Sequence, residues 1–440
     1  MGGLFVPDHV RRWTWLLAVS AALLLALALR LALASAAAPP HHVDAGLRKT
    51  PARWVATWAA SPQAPAAWSP AWRGLRNRTV REVMLSSVGG SWVRVRVSNA
   101  YGSHPLRIGQ AAIGLQSGGA GVLPGTSRTL LFGGRESAVI PPGGQILSDP
   151  VKLMVPALRT LAVSLFLPGP TGPLTEHTDA EQVNYIAAGD RVGQPARRAF
   201  REQTTTAWYL LSGVEVAATP RTLGSVVALG DSITDGVGSR PGANARWPND
   251  LARRLHALPG RALGVVDAGI GGNRVLQSSA IYGVDALARF KRDVLDQAGV
   301  RAVIILEGLN DIGFSRSLSP LTFPHATASA TQLIAAYRQL IAEAHAAGVK
   351  VFGGTLTPFQ GAKYWSPAGE AERETINRWI RQSHAFDGVI DFARAVADRS
   401  NPRALNPAYD SGDHLHLNDA GYRAMAGAID LRLLILGLSR

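Results

Sequence analysis

The chain of 440 residues contains no cysteine. Disulfides, thiolate nucleophiles and cysteine-ligated metal or iron–sulfur centres are therefore excluded. Such a composition suits an exported protein that folds without oxidative help. The sequence also has no block of like charge. Its 45 lysines and arginines outnumber 31 acidic residues to give a formal charge of +14, but the arginines are scattered. A nucleic-acid-binding protein would gather them into a stripe or tail, so no nucleic-acid partner is expected. Coding bias that places arginine on a solvated surface is the plain reading of that charge, with attraction to anionic envelope polymers or phospholipid head groups as a secondary one. Hydrophobic content of 47% and 46 glycines describe a globular protein able to fill large cores. No internal repeat is present.

What is present starts at the N-terminus. Arg11-Arg12 precedes an apolar run from Trp13 to Leu29, and small residues in A-x-A spacing follow through Ala38. This is the pattern of a secretory signal. A retained anchor is the alternative, because the apolar stretch exceeds the roughly 20 residues that span a bilayer. Arg30 argues against a clean span. Residues 1–38 are read as a signal peptide or membrane anchor, which makes the protein secreted or extracytoplasmic, and residues 39–51 as a linker.

From 52 to 219 the pattern is β-like. Val93 to Val97 alternates strictly, Val80–Leu85 and Thr160–Leu167 are short apolar runs, and turn signals such as Pro141-Pro142-Gly143-Gly144 separate them. An all-β, sandwich-like domain is expected. After Pro220 strands alternate with helices. Apolar strands are predicted at 225–229, 264–267, 302–306, 349–353 and 389–392. A helical stripe of Leu333, Ile334, Tyr337, Leu340, Ile341 and Ala344 lies between two of them, with Gly348 as its stop. Ser366-Pro367 should open another helix, and Asn418 should cap a last one carrying Tyr422, Met425, Ile429 and Leu433. Residues 220–440 are thus expected to form an α/β domain around a parallel sheet.

Four of the predicted strands lead into polar blocks. Gly230-Asp231-Ser232-Ile233-Thr234 ends the first, and Gly269-Ile270-Gly271-Gly272-Asn273-Arg274 follows the second. Glu307-Gly308-Leu309-Asn310-Asp311 closes the third, while Asp413-His414-Leu415-His416 lies past the fifth. Serine, histidine and aspartate can make an activated hydroxyl, and glycine N–H groups with an asparagine amide can receive an oxyanion. Gly269, Gly271 and Gly272 are all candidates for the glycine donor. Asp413, His414, His416 and Asp231 could instead gather around a metal, but no further His/Asp/Glu motif completes such a site, so neither metal nor cofactor is expected. Thr357-Pro358-Phe359 and Trp365 follow the fourth strand and are candidates for the pocket wall.

In this order the four blocks resemble the SGNH (GDSL-type) serine hydrolase superfamily, over residues 223–436. The stretches GIGGNRVL and LEGLNDIG are closest to its acetylxylan-esterase-like branch. The resemblance implies a flavodoxin-like three-layer α/β/α domain with a five-stranded parallel sheet. It implies Ser232 as nucleophile, His416 as base, Asp413 as its orienting acid, and Ser232, Gly272 and Asn310 as oxyanion donors. The implied activity is hydrolysis of short acyl esters, O-acetyl groups on carbohydrate foremost. A lipase or lysophospholipase, and a non-catalytic envelope glycan-binding protein, are the alternatives. Asp267 departs from the pattern, since many members carry asparagine there; its effect is expected on the packing of the glycine loop.

Overall fold

The computed structural model describes residues 53–437 apart from 180, 202 and 318. The predicted signal or anchor and the linker lie outside the described residues. Five parallel strands organise the C-terminal half: β1 (Thr222–Gly230), β2 (Ala262–Gly269), β3 (Val300–Leu306), β4 (Lys350–Gly354) and β5 (Gly388–Ile390). Their order across the sheet is β2-β1-β3-β4-β5. This puts β1 between β2 and β3, with all three C-termini side by side. In open parallel sheets the ligand crevice lies off those ends, where strand order reverses.

The strands run one to four residues beyond their predicted apolar cores, because ladder pairing recruits flanking residues that hydropathy alone does not mark. At β5 the sheet stops earlier than predicted. Asp391 accepts from the N–H of Arg394 and caps a short helix, so Phe392 is helical. Helices follow the strands: α1 (Ser232–Asp235), α2 (Ala286–Phe290), α3 (Leu309–Phe314), α4 (Ala330–Ala346), α5 (Pro367–Gln382) and α6 (Asp419–Gly427). Ser329 and Gln332 form a capping box at the start of α4, and Ser366 accepts from Gly369 N–H at the start of α5. Asn418 caps α6 as expected, yet the helix ends at Gly427. Asp430 accepts from the N–H groups of Arg432 and Leu433, starting a separate helix at Leu431. Leu433 therefore does not share a helix with Tyr422.

The N-terminal half is a large β-rich region. One antiparallel sheet joins Trp54–Ala59, Leu211–Ala217, Gly90–Ser98 and Val151–Val155 in that order. A second is built around Arg78–Leu85, Thr160–Leu167 and Gln110–Gly118. Val93, Val95 and Val97 of the first meet Val80, Met84, Leu161, Val163 and Leu165 of the second in one apolar core. The strict alternation in the sequence is what aims those valines inward.

The two halves pack against each other along Trp54–Ala59 and β2. Ser87 Oγ accepts from Val265 N–H at 2.9 Å and Ala298 O from Ala56 N–H at 2.9 Å. Any Cβ at Gly264 would lie 2.2 Å from Ala56 O, so this contact admits only glycine on β2.

Candidate active site

Ser232 opens α1 directly after β1. Asp231 is its N-cap, with Oδ1 accepting from Ile233 N–H at 3.0 Å, and Gly236 closes the turn in the left-handed region at φ 94°. A strand that ends in a capped single turn leaves the first helical side chain at the sheet mouth. Ser232 Oγ lies 2.8 Å from His416 Nε2, and His416 Nδ1 lies 2.6 Å from Asp413 Oδ2. The Asp413 carboxylate can only accept, so Nδ1 carries the proton and Nε2 is left to accept from the serine hydroxyl. Asp413 Oδ1 also accepts from the backbone N–H of Leu415 and His416. Burial pushes its carboxyl up, but the His416 ring and these N–H groups outweigh that and hold it well below the usual carboxylate range.

The glycine and asparagine loops are equally specific in their hydrogen bonds. The N–H of Gly269 is taken by Asp267 Oδ1 at 2.8 Å and that of Gly271 by Asp235 Oδ2 at 3.2 Å. Gly272 N–H and Ser232 N–H have no acceptor among the described residues. Of the three glycines open to choice from sequence, Gly272 alone keeps a free donor. It sits at φ 71°, and a Cβ there would lie 2.2 Å from the Tyr282 ring, so both conformation and space demand glycine. Asn310, the second residue of α3, is buried and its amide is oriented at both ends. Nδ2 donates to Asn273 O at 3.0 Å and Oδ1 accepts from Tyr364 OH at 3.2 Å. A primary amide has two N–H groups, so one remains.

The remaining acids play supporting parts. Asp311 Oδ2 and Oδ1 accept from the N–H groups of Val275 and Leu276 at 2.8 and 3.0 Å, tying α3 to the glycine loop. Burial pushes Asp311 up to about 7 and Asp231 up to about 6. Glu307 is fully buried, and burial lifts it to about 8 although Arg289 Nη2 stands 3.2 Å away. His414 is exposed, and its Nδ1 faces Asp410 Oδ2 at 2.6 Å, away from Ser232. Among the described residues no group of three or more His, Asp or Glu side chains is placed to hold a metal ion.

One expectation is corrected and two residues are new. Thr357 and Phe359 are wholly buried and so cannot line a pocket. Tyr364, from the same loop, is the aromatic residue that reaches Asn310. Trp365 is packed against the core. Sequence reasoning missed Arg289, which has no exposed side-chain surface. It donates to Gly230 O at 3.0 Å, Ala268 O at 2.6 Å and Asn273 Oδ1 at 2.9 Å, joining the nucleophile block to the glycine block from below. A lone arginine on a short helix carries no motif. Its only signal was a cation next to an apolar face.

Comparison with known proteins finds similarity in the C-terminal half. Residues 228–424 match the model of the GDSL-like lipase/acylhydrolase family. No curated protein matches the chain. Among solved structures it is similar to the lipase/acylhydrolase from Enterococcus faecalis, at 19% identity over 48% of this chain and 95% of that one, with a TM-score of 0.37. It is similar to a GDSL-like lipase from Bacteroides thetaiotaomicron, at 20% identity over 48% and 88%, with a TM-score of 0.35. A variant of an acetyl xylan esterase from Geobacillus stearothermophilus matches at 23% identity over 49% and 94%, with a TM-score of 0.37. Over residues 228–424, a little under half of the chain, the protein is similar to the GDSL-like lipase/acylhydrolase family, and it is an ester hydrolase.

Proposed function

We propose that the protein is an exported serine esterase that removes short acyl groups, O-acetyl foremost, from carbohydrate. The observation that carries the serine mechanism is the hydrogen-bonded run Ser232–His416–Asp413. It stands beside two uncommitted backbone N–H groups and an oriented amide. In this reading Ser232 Oγ attacks the ester carbonyl while His416 Nε2 takes its proton. The carbonyl oxygen becomes an oxyanion received by Ser232 N–H, Gly272 N–H and Asn310 Nδ2. His416 then protonates the departing alcohol oxygen, and water activated by the same ring releases the carboxylic acid.

The carbohydrate assignment rests on the blocks GIGGNRVL and LEGLNDIG and on the surroundings of the site. Asp179 Oδ2 comes within 3.8 Å of where a Cβ on Gly271 would lie. A carboxyl group there can hydrogen-bond sugar hydroxyls. The proposed architecture is a flavodoxin-like three-layer α/β/α catalytic domain, residues 220–440, preceded by a β-sandwich-like domain, residues 52–219. The proposed location outside the cytoplasm rests on residues 1–38.

The test is fluorophosphonate labelling with a chain-length series of p-nitrophenyl esters. Wild type should label stoichiometrically and prefer acetate over decanoate, and Ser232→Ala should not label. A folded wild type that does not label refutes the serine mechanism. A preference for long chains refutes the acetyl assignment in favour of a lipase.

A further inference from the structure

His177 belongs to the β-rich region, on the short strand Glu176–His177, and the family model does not reach it. It is nevertheless buried against α1, where Ser232 sits. Its Nε2 lies 3.0 Å from Asp235 Oδ1 and its Nδ1 2.9 Å from Ser61 O. Both neighbours are acceptors, so both ring nitrogens must donate. Neutral imidazole has only one N–H, and would leave a lone pair facing an oxygen. The pair is therefore an imidazolium with a carboxylate, and the Trp208 ring, 5.6 Å away, packs beside it. Burial alone would strip that proton. The Asp235 charge more than offsets it and holds His177 above its ordinary pKa.

Asp235 is the hinge between three pieces. Oδ1 faces His177, Oδ2 accepts from Gly271 N–H at 3.2 Å, and its backbone O accepts from Arg246 Nε at 2.8 Å. It is the last residue of α1, three after Ser232, and Gly271 directly precedes the proposed donor Gly272. The packing allows little slack. A Cβ on Gly269 would lie 2.3 Å from Asp235 N, so β2 and the α1 backbone are in direct contact. Ser61 ties the same region to Arg289, whose Nη1 donates to Ser61 Oγ at 3.2 Å.

We infer that His177 is a positioning residue for ester hydrolysis: supplied by the β-rich region, it clamps Asp235 so that the nucleophile turn and the glycine loop keep the spacing an oxyanion needs. The β-rich region is then part of the hydrolase. This inference rests on the serine-esterase reading above. Misplacing donors by about 1 Å lowers turnover by up to ~100-fold.

The test exploits amide mimicry of the two ring nitrogens in the full-length protein. Glutamine at 177 places an N–H near the Nε2 position, facing Asp235; asparagine places one near Nδ1, facing Ser61 O. Both variants lose one hydrogen bond and should lose similar thermal stability. With p-nitrophenyl acetate, kcat of His177→Asn should fall about 10- to 100-fold with KM within about threefold, and its fluorophosphonate labelling should slow in step. His177→Gln should keep kcat within about threefold of wild type. Equal kcat in the two variants, high or low, overturns the inference. If His177→Asn does not fold, His177→Ala replaces it, and a kcat no lower than that of His177→Gln overturns the clamp. Labelling and turnover of wild type, measured in parallel, test the serine mechanism separately. A labelled, active wild type with indifferent variants defeats only the clamp.

Discussion

Asp267 departs from the family pattern, and its surroundings say what replacing it will do. Its Oδ1 accepts from Gly269 N–H at 2.8 Å, while Oδ2 is buried with no partner among the described residues. Burial, and then the neighbouring Asp235 charge, push its carboxyl from 3.8 up to about 7. A group whose folded pKa is raised binds its proton more tightly in the folded chain. Stability therefore falls as pH rises from about 4 to about 7, and is level above that. Three units at about 1.4 kcal/mol each set a ceiling of about 4 kcal/mol. Local relaxation around a buried carboxyl lowers that ceiling, so about 1–3 kcal/mol is expected. Asp267→Asn keeps the acceptor for Gly269 and removes the charge. Urea denaturation of wild type and variant at several pH values from 4 to 8.5 reads the difference. The variant should gain about 1–3 kcal/mol on wild type between pH 4 and pH 8, with the whole change below about pH 7.5. A stability difference that does not vary with pH would refute the argument, because it would place Asp267 among ordinary carboxylates. Activity should survive, since no atom of Asp267 faces Ser232.

Two further outcomes follow from the site. Asn310→Ala removes an amide held at both ends and should cut kcat by about 10²–10³ with KM little changed; steady-state kinetics on p-nitrophenyl acetate check it, and unchanged kcat removes Asn310 from the oxyanion hole. Arg289→Met leaves Glu307 and the carbonyls of Gly230 and Ala268 without their buried donor, and should destabilise the protein by about 3–5 kcal/mol in chemical denaturation. An unaltered midpoint would show that the loops above it hold without Arg289.

Hydropathy and cap signals marked the five strands and three of the helices of the C-terminal half. Val226 to Leu229 has no choice but a buried strand, and Ser366-Pro367 and Asn418 are caps whose side chains satisfy N–H groups a few residues away. Local chemistry of this kind is complete within a short window. Ser232, Asp413 and His416 were picked out by the order of their blocks, and the fold brings the three side chains within hydrogen-bond distance. The boundaries drifted where tertiary pairing decides them. β5 gave up Phe392 to a helix capped by Asp391, and Asp430 divided the last helix in two.

Some choices no window could make. Three glycines were open as the donor, and only their partners separate them: Asp267 takes Gly269, Asp235 takes Gly271, and Gly272 is left. Thr357 and Phe359 looked like pocket residues but point into the core. Arg289 and His177 carry no motif, and each acts through atoms that are far from it in sequence. The sequence by itself determined which side chains can do acyl-transfer chemistry and the strands and turns that present them, because those depend on residue type and near neighbours. The tertiary structure decided which donors stay free and how the β-rich half grips the nucleophile turn, because hydrogen bonds and burial are settled by whatever the fold brings within three ångströms.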